Sequence, residues 1–374
     1  MSAAGTPEAG PLAAVRGAMA AGRPADVLQE SEAILATATD PAVVVEATAA
    51  RASALTQVGR PGDAFALLRS ARDQQKAAGR PTVAATLSVA ESGLRTASGD
   101  LPAAISALIE AANDYGAAGD MADQIRAELQ LVTGYLMASQ PDNARQVMSG
   151  CLGAAQRLGD PGVLAEVRHQ EGSLLLATGA DPVASFEDGL RAADRSGSPV
   201  VQIQLRIDLG RALARQDAGR AVTLLSQAER IAAGLGDPLA GANGLAAVGQ
   251  GWWALGRAND GIRCADRALG LLDGAGAWPL MAGLAVSAAD MSNAAGRRAD
   301  AQRYAGAAVA AGGRIGGPGG EASVMVMLGE AAAQRGDRQT AHNAFGDAVR
   351  RLQAAALPVP PQLSAALSEL GQRA

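Results

Sequence analysis

The sequence predicts an all-α protein whose helices form a repeat array, that is, an α-solenoid. A turn-like hexapeptide recurs along the chain at a step of 40 residues, or twice of 37, which is typical of stacked helical repeats. Apolar residues, chiefly Ala and Leu, make up 48% of the 374 residues, whereas aromatic residues make up only 2%. This composition suits closely packed helices better than a sheet of bulky β-branched side chains.

The recurring hexapeptides are predicted to be the turns inside each repeat. GRPGDA (59–64) and GRRADA (296–301) are two examples, and Gly-Pro breaks such as GDP (159–161) and GGP (316–318) follow each turn by about twenty residues. Gly ends a helix in the left-handed conformation and Pro cannot continue it, so each repeat should contain two helices. The turns end at positions 27, 64, 104, 144, 184, 221, 261, 301 and 341.

The segments between these breaks have the period of amphipathic helices. One apolar stripe consists of Leu101, Ala104, Ile105, Leu108, Ile109, Ala112 and Tyr115. No segment alternates apolar and polar residues well enough to predict a strand. The ladder predicts about nine helix pairs and a C-terminal capping helix near 361–373. We expect residues 1–11 to be a flexible N-terminal tail and residues 12–374 a single repeat domain.

Composition argues against nucleic-acid and membrane partners. The formal net charge is −5, so the chain has no basic footprint for nucleic acid. No run of about 18 apolar residues predicts a membrane span. The N-terminal segment carries Glu8 and lacks a long apolar run, which does not fit a signal peptide. The expected location is therefore cytoplasmic.

Catalytic and metal-binding patterns are weak. Cys151 and Cys264 lie far apart without CxxC spacing, and His169 and His342 are the only histidines. The Gly-rich stretch 312–320 and a similar one at 274–283 lack the Lys of a phosphate-binding loop. We therefore expect no metal, no cofactor and no catalytic site, which means that the chain is not predicted to be an enzyme.

The repeats resemble the tetratricopeptide repeat (TPR), in a long-period bacterial form. VGQGW (248–252) is similar to the family pattern in the first helix. The second helices repeat Ala followed four residues later by a large residue, as in Ala64 with Leu68 and Ala341 with Phe345. Two positions depart from the pattern, since Asp188 replaces a large apolar residue and Gly261 replaces the turn Ala. The resemblance implies a right-handed superhelix, with the first helix of each pair on its concave side, and a binding rather than a catalytic role.

A polar column follows the small-residue position of the first helices: Ser53, Gly93, Thr133, Ser173, Arg211, Gln250, Asp290 and Glu330. These residues could simply face solvent, because amphipathic helices always have a polar face. The resemblance places them at the position where the family contacts ligands. The residues predicted to bind a partner are Thr133, His169, Ser173, Arg211, Asn243, Gln250, Trp253, Asp290, Asn293 and Glu330.

Trp252 and Trp253 are adjacent, so on a helix they point about 100° apart. Trp252 occupies the large-residue position of the family pattern and is predicted to be buried. Trp253 is then turned towards the groove and predicted to anchor the partner. The competing interpretation is that Trp253 packs between helices and that the contacts lie elsewhere.

The predicted function is a non-catalytic scaffold or adaptor that binds a protein or peptide in its concave groove. The alternative is a regulatory or sensor module that acts in trans and binds a short peptide or small molecule. Repeat regions of bacterial transcription activators resemble such a module.

Overall fold

The computed structural model describes residues 10–20 and 22–372. Most of the predicted tail, residues 1–9, lies outside the described residues. Every regular element in the described part is an α-helix, and it contains no strand. The helices are α1 (Ala13–Ala20), α2 (Pro24–Leu35), α3 (Pro41–Gln57), α4 (Pro61–Ala77), α5 (Pro81–Ala97), α6 (Leu101–Ala118), α7 (Met121–Met137), α8 (Pro141–Leu158), α9 (Pro161–Ala177), α10 (Val183–Ser196), α11 (Pro199–Leu213), α12 (Ala218–Ala233), α13 (Pro238–Ala254), α14 (Ala258–Gly274), α15 (Trp278–Ala294), α16 (Arg298–Gln334), α17 (Arg338–Ala354) and α18 (Pro361–Gln372).

Helix α16 bends within its length. Gly316 has φ −151° and ψ 30°, and Gly317 has φ 54° and ψ −138°, so the backbone leaves the helical conformation just before Pro318. The bend divides α16 into segments 298–315 and 318–334. With this division, the described residues form nine helix pairs and the closing helix α18, which confirms the predicted all-α repeat fold.

The Gly-Asp-Pro junction between α8 and α9 shows why the helices begin and end at these breaks. Gly159 takes the left-handed conformation with φ 72° and ends α8. The Asp160 side chain accepts a hydrogen bond from the N–H of Gly162 at 2.7 Å, and Pro161 occupies the first helical position.

The helices group into two compact units, one centred on residues 23–205 and the other on residues 206–372. Unit 1 buries Leu68, Leu87 and Ile125 completely, and unit 2 does the same with Tyr304 and Leu225. The prediction of one domain over 12–374 stays a prediction.

Small residues bring the second helices of the repeats close to their neighbours. The fully buried members of this column are Ala111, Cys151, Ala228, Ala268, Ala308 and Ala348. Burial raises the pKa of the Cys151 thiol to about 12, with a further contribution from the nearby Glu128 carboxylate. A thiol with this pKa is protonated at neutral pH and is a poor nucleophile.

Glycines in the first helices make room for aromatic rings. A Cβ at Gly172 would overlap the ring of Phe186, and a Cβ at Gly329 would lie 2.5 Å from Phe345. Phe186, which is 1% exposed, therefore packs against α9 at Gly172.

Candidate functional site

Trp252 is buried, as predicted, with 2% of its surface exposed. Its indole Nε1 donates a hydrogen bond to Glu229 at 3.3 Å, and the Arg257 guanidinium lies 5.2 Å from its ring centre. Glu229 also accepts hydrogen bonds from Arg263 and Arg267. The polar edge of the indole is satisfied, which is the usual requirement for a buried tryptophan.

Trp253 does not lie open on a groove, so the predicted orientation needs correction. Its ring packs over Gly261 at the start of α14, where an added Cβ would lie 2.6 Å from Trp253 Cδ2. The side chain is half-buried and packs against the core cluster around Ala265 and Leu269. Glycine at 261, which departs from the repeat pattern, is the reason that the ring can fold back between the helices. The geometry thus favours the competing interpretation, in which Trp253 packs between helices.

Three predicted residues lie on α7 and α9 in unit 1. Thr133 is exposed, and its hydroxyl accepts a hydrogen bond from Gln170 Nε2 at 2.8 Å. Ser173 is half-buried and donates to the carbonyl of His169 at 3.1 Å, while the His169 ring lies 6.0 Å from that of Phe186. The Thr133–Gln170 bond joins helices of consecutive repeats, so these residues share one surface.

The predicted residues of unit 2 are more dispersed. Arg211, Asn243 and Gln250 are exposed on α11 and α13, and Arg211 Nη1 lies 3.8 Å from Asp208. Glu330 lines a smaller cavity of about 260 Å³ near α18. That these residues and those of unit 1 contact a partner stays a prediction.

Asp290 and Asn293 lie together at the edge of a cavity of about 690 Å³, bounded by α15, α16 and α17. We call it the α15–α17 cavity. Its apolar lining consists of small and medium side chains: Val286, Ala289, Ala301, Ala305, Val309, Met325, Leu328, Ala331 and Ala344. Gly306 leaves further space, because a Cβ there would meet nothing within 4 Å. The other half of the lining is polar or charged: Asp290, Asn293, Arg298, Gln302, Arg335, Asp337, Thr340, Asn343, Asp347 and Arg351.

Charged groups of the cavity lining are mostly paired. Asp290 of α15 forms an ion pair with Arg335, the residue that follows the second α16 segment, and this pair links two consecutive repeats. Asp337 caps α17, and hydrogen bonds from the Thr340 hydroxyl and N–H hold the pKa of Asp337 below its ordinary value. The Asp290–Arg335 ion pair thus connects two of the elements that bound the cavity.

Sequence reasoning missed the residues that the second helices contribute. The polar column was taken from first helices, whereas Arg298, Gln302 and Asn343 project into the cavity from the first segment of α16 and from α17. The sequence signal for these residues is faint, since second helices carry many polar residues on their outer faces. Only contact between consecutive repeats distinguishes the residues that face the cavity.

Helices capable of crossing a membrane are absent from the part of the chain that the structure describes. Within that part, no group of three or more His, Cys, Asp or Glu side chains is arranged to hold a metal ion.

No protein-family model and no curated protein matches the chain. Among solved structures, a STAND signal transduction ATPase with a tetratricopeptide repeat sensor, from Pyrococcus horikoshii, is 12% identical with a TM-score of 0.46. The match covers 96% of this chain and 54% of that one, so this chain spans about half of its length. The apo form of the quorum sensor NprR from B. thuringiensis is 14% identical with a TM-score of 0.48, and the match covers 80% and 86% of the two chains. Yeast Tom70 is 12% identical with a TM-score of 0.41, over 91% of this chain and 75% of that one. These likenesses concern the fold alone.

Proposed function

We propose that this chain, a helical-repeat protein of the tetratricopeptide type, binds a peptide segment of a partner protein in the α15–α17 cavity. The observation that carries the proposal is the cavity itself. Its volume of about 690 Å³ falls within the range of about 300–1,000 Å³ that is usual for ligand pockets. Two residues predicted from the sequence, Asp290 and Asn293, line it.

The lining matches the chemistry of a peptide. Ala, Val, Leu and Met side chains offer a recess for an apolar side chain of the ligand. Asn293, Gln302 and Asn343 each carry an amide, which has both donors and an acceptor. Amides can therefore hydrogen-bond the N–H and C=O groups of a peptide backbone, whatever its side chains.

Two ion pairs connect the elements around the site. Asp290 of α15 pairs with Arg335 at the end of α16, and Arg351 of α17 pairs with Glu321 of the second α16 segment. A preorganised site loses less conformational entropy when it binds, so a short peptide can suffice.

A second candidate is a sensor that binds a small molecule at the same cavity. The observation that favours it is the volume, which matches a small-molecule pocket as well as a short peptide. In that case a diverse peptide library would yield no binder, while a metabolite collection would yield one that raises the melting temperature.

Selection of a random displayed 12-residue peptide library against the full chain tests the proposal. We expect the protein to enrich a shared sequence motif. Gly306→Trp should abolish the enrichment, because the indole would occupy open space in the cavity. Gly270→Trp is the matched control: Gly270 is also exposed and also has nothing within 4 Å of an added Cβ, but it lies outside the cavity lining.

Circular dichroism of both variants checks that they are folded. If Gly306→Trp does not fold, the double variant Asn293→Ala and Asn343→Ala serves in its place. Enrichment that survives the filling of the cavity would overturn the proposed site, and the lack of any enriched peptide would overturn the proposed ligand class.

A further inference from the structure

We infer that the ligand of the α15–α17 cavity places an aromatic side chain there. This inference rests on the proposed function and adds the chemical class of the side chain that the cavity accepts. It follows from a comparison with the preceding repeat, in which aromatic rings of the chain itself fill the corresponding space.

The cavity and the corresponding place in the preceding repeat are built from helices that begin 40 residues apart. Helices α13 and α14 begin at residues 238 and 258, whereas α15 and α16 begin at residues 278 and 298. The second α16 segment and α17 begin at 318 and 338, again 40 residues after α15 and α16. Stacked repeats place such helices in corresponding positions, so each lining residue can be compared with the residue 40 positions before it.

In the preceding repeat, the Trp253 ring occupies this place. A Cβ at Gly261 would lie 2.6 Å from Cδ2 of the indole, and a Cβ at Gly249 would lie 3.5 Å from its Cζ3. The ring also packs against the cluster that contains Ala265 and Leu269. The residues 40 positions after these four all line the α15–α17 cavity: Ala289, Ala301, Ala305 and Val309.

Two aromatic residues of the preceding repeat have non-aromatic counterparts in the cavity. Asn293 stands 40 positions after Trp253. Ala344 stands 40 positions after Tyr304, which is completely buried in the same cluster as Ala265. Both Asn293 and Ala344 line the cavity. They therefore leave open the space that an indole and a phenol ring fill one repeat earlier.

Larger residues at two other positions reduce this space without closing it. Met325 and Leu328 stand where the preceding repeat has Ala285 and Ala288, and both line the cavity. A volume of about 690 Å³ nevertheless remains. Asn293 at the edge of the cavity is exposed, so a ring can enter from solvent.

The polar part of the lining suits the polar edge of such a ring. Trp253 Nε1 is buried and has no hydrogen-bond partner among the residues that the structure describes. In the cavity, Gln302 stands 40 positions after Ile262, so an amide takes the place of an aliphatic side chain. An amide oxygen accepts a hydrogen bond from an indole N–H or a phenol O–H. A tryptophan or tyrosine of the ligand therefore matches both halves of the lining.

Binding of 5-fluoroindole to the full chain, observed by fluorine NMR, tests the inference. This probe is an uncharged aromatic molecule without a peptide backbone, and we expect the wild-type protein to bind it. The double variant Asn293→Trp, Ala301→Gly should weaken this binding at least about tenfold, because it rebuilds the packing of Trp253 in the cavity. Ala301→Gly is included because a Cβ at the corresponding Gly261 would overlap the indole.

Asn113→Trp is the matched control. Asn113 is also exposed on a helix, but it lies in unit 1 and outside the cavity lining. This variant should bind the probe within about twofold of the wild-type protein, since surface substitutions away from the site have small effects. Circular dichroism checks folding, and Gly306→Trp serves in place of the double variant if that protein is unfolded.

The peptides that the wild-type protein enriches give a second measurement. We expect Trp, Tyr or Phe at a fixed position of the shared motif. Replacement of this residue by Leu should weaken binding at least about tenfold, because buried aromatic anchors contribute a large share of binding energy. Replacement by another aromatic residue should have a smaller effect.

The inference is overturned if 5-fluoroindole binds the filled variant as tightly as the wild-type protein, or binds neither. It is also overturned if the enriched peptides are blocked by Gly306→Trp but contain no aromatic residue, and in that case the proposed function stands. The opposite result is equally distinct. If no peptide is enriched, but the wild-type and control proteins bind the probe and the filled variant does not, the aromatic pocket is supported and the proposed ligand class is wrong.

Discussion

At the scale of single residues, some glycines of this protein are tightly covered by a neighbouring side chain, whereas others face open space. Gly261 is covered by the Trp253 ring, whereas Gly306 faces the open cavity. Both lie inside helices, where Ala is intrinsically favoured over Gly by about 0.5–1 kcal/mol. The surroundings therefore decide the sign of a Gly→Ala substitution.

We expect Gly261→Ala to destabilise the protein, because its Cβ would overlap the indole and overpacking costs about 1–3 kcal/mol. Gly306→Ala should stabilise it by about 0.5–1 kcal/mol, because the added methyl meets nothing. Chemical denaturation of the two variants measures both values. A stabilised Gly261→Ala protein would show that Trp253 lies elsewhere.

The stability that the two buried thiols contribute should decrease as the pH rises. Burial raises the pKa of Cys151 from 9.0 to about 12, and that of Cys264 likewise to about 12. Their contribution to stability is complete below pH 9 and is lost as the pH rises towards 12, because only the unfolded chain readily releases these protons.

The melting temperature of the wild-type protein should therefore fall more steeply above pH 9 than that of the Cys151→Ala, Cys264→Ala double variant. Equal slopes would contradict the burial of the two thiols. In the native protein at pH 7.5, neither thiol should react with a maleimide at an appreciable rate.

At the scale of elements, the sequence predicted most helix ends, because Gly, Asp and Pro determine them locally. The bend in α16 follows from the Gly-Gly-Pro stretch at 316–318, which was predicted as a break between repeats. Trp253 was misplaced for the opposite reason. The orientation of the Trp253 ring depends on the absence of a side chain at Gly261. Gly261 lies on α14, whereas Trp253 lies on α13, so the local sequence around Trp253 does not show this dependence.

The bend itself provides a test. Gly317 has φ 54° and ψ −138°, a conformation that is essentially reserved for glycine. Gly317→Ala should cost about 1–3 kcal/mol. Gly316→Ala is the control, since φ is negative there and an added Cβ meets nothing within 4 Å. Thermal melting of both proteins measures the difference, and equal melting temperatures would mean that the bend lies elsewhere.

At the scale of the whole molecule, the repeat period could be predicted from the sequence, but the cavity could not. The period can be read along the sequence, because it is a spacing between similar residues. The cavity, in contrast, forms only when side chains from two consecutive repeats face each other. Asp290 and Asn293 were found because they lie on a first helix. Arg298 and Asn343 were missed because nothing local distinguishes them from solvent-facing residues.

Stability should reside in the small-residue cores rather than in the ion pairs between repeats. Ala111→Leu in unit 1 and Ala268→Leu in unit 2 should each cost about 1–3 kcal/mol, because both positions are fully buried. Arg126→Gln removes an exposed ion pair with Glu166, and should cost less than about 1 kcal/mol. Urea denaturation compares the three variants, and a larger loss for Arg126→Gln than for the Leu variants would contradict this ranking.

The most direct test of the central claim is a crystal structure of the full chain bound to the peptide that it enriches. The account predicts that the peptide lies in the α15–α17 cavity, with an apolar side chain against Ala305 and Leu328. Its backbone should lie within hydrogen-bond distance of Asn293 or Asn343. A peptide bound at another surface, with this cavity still empty, would contradict the account.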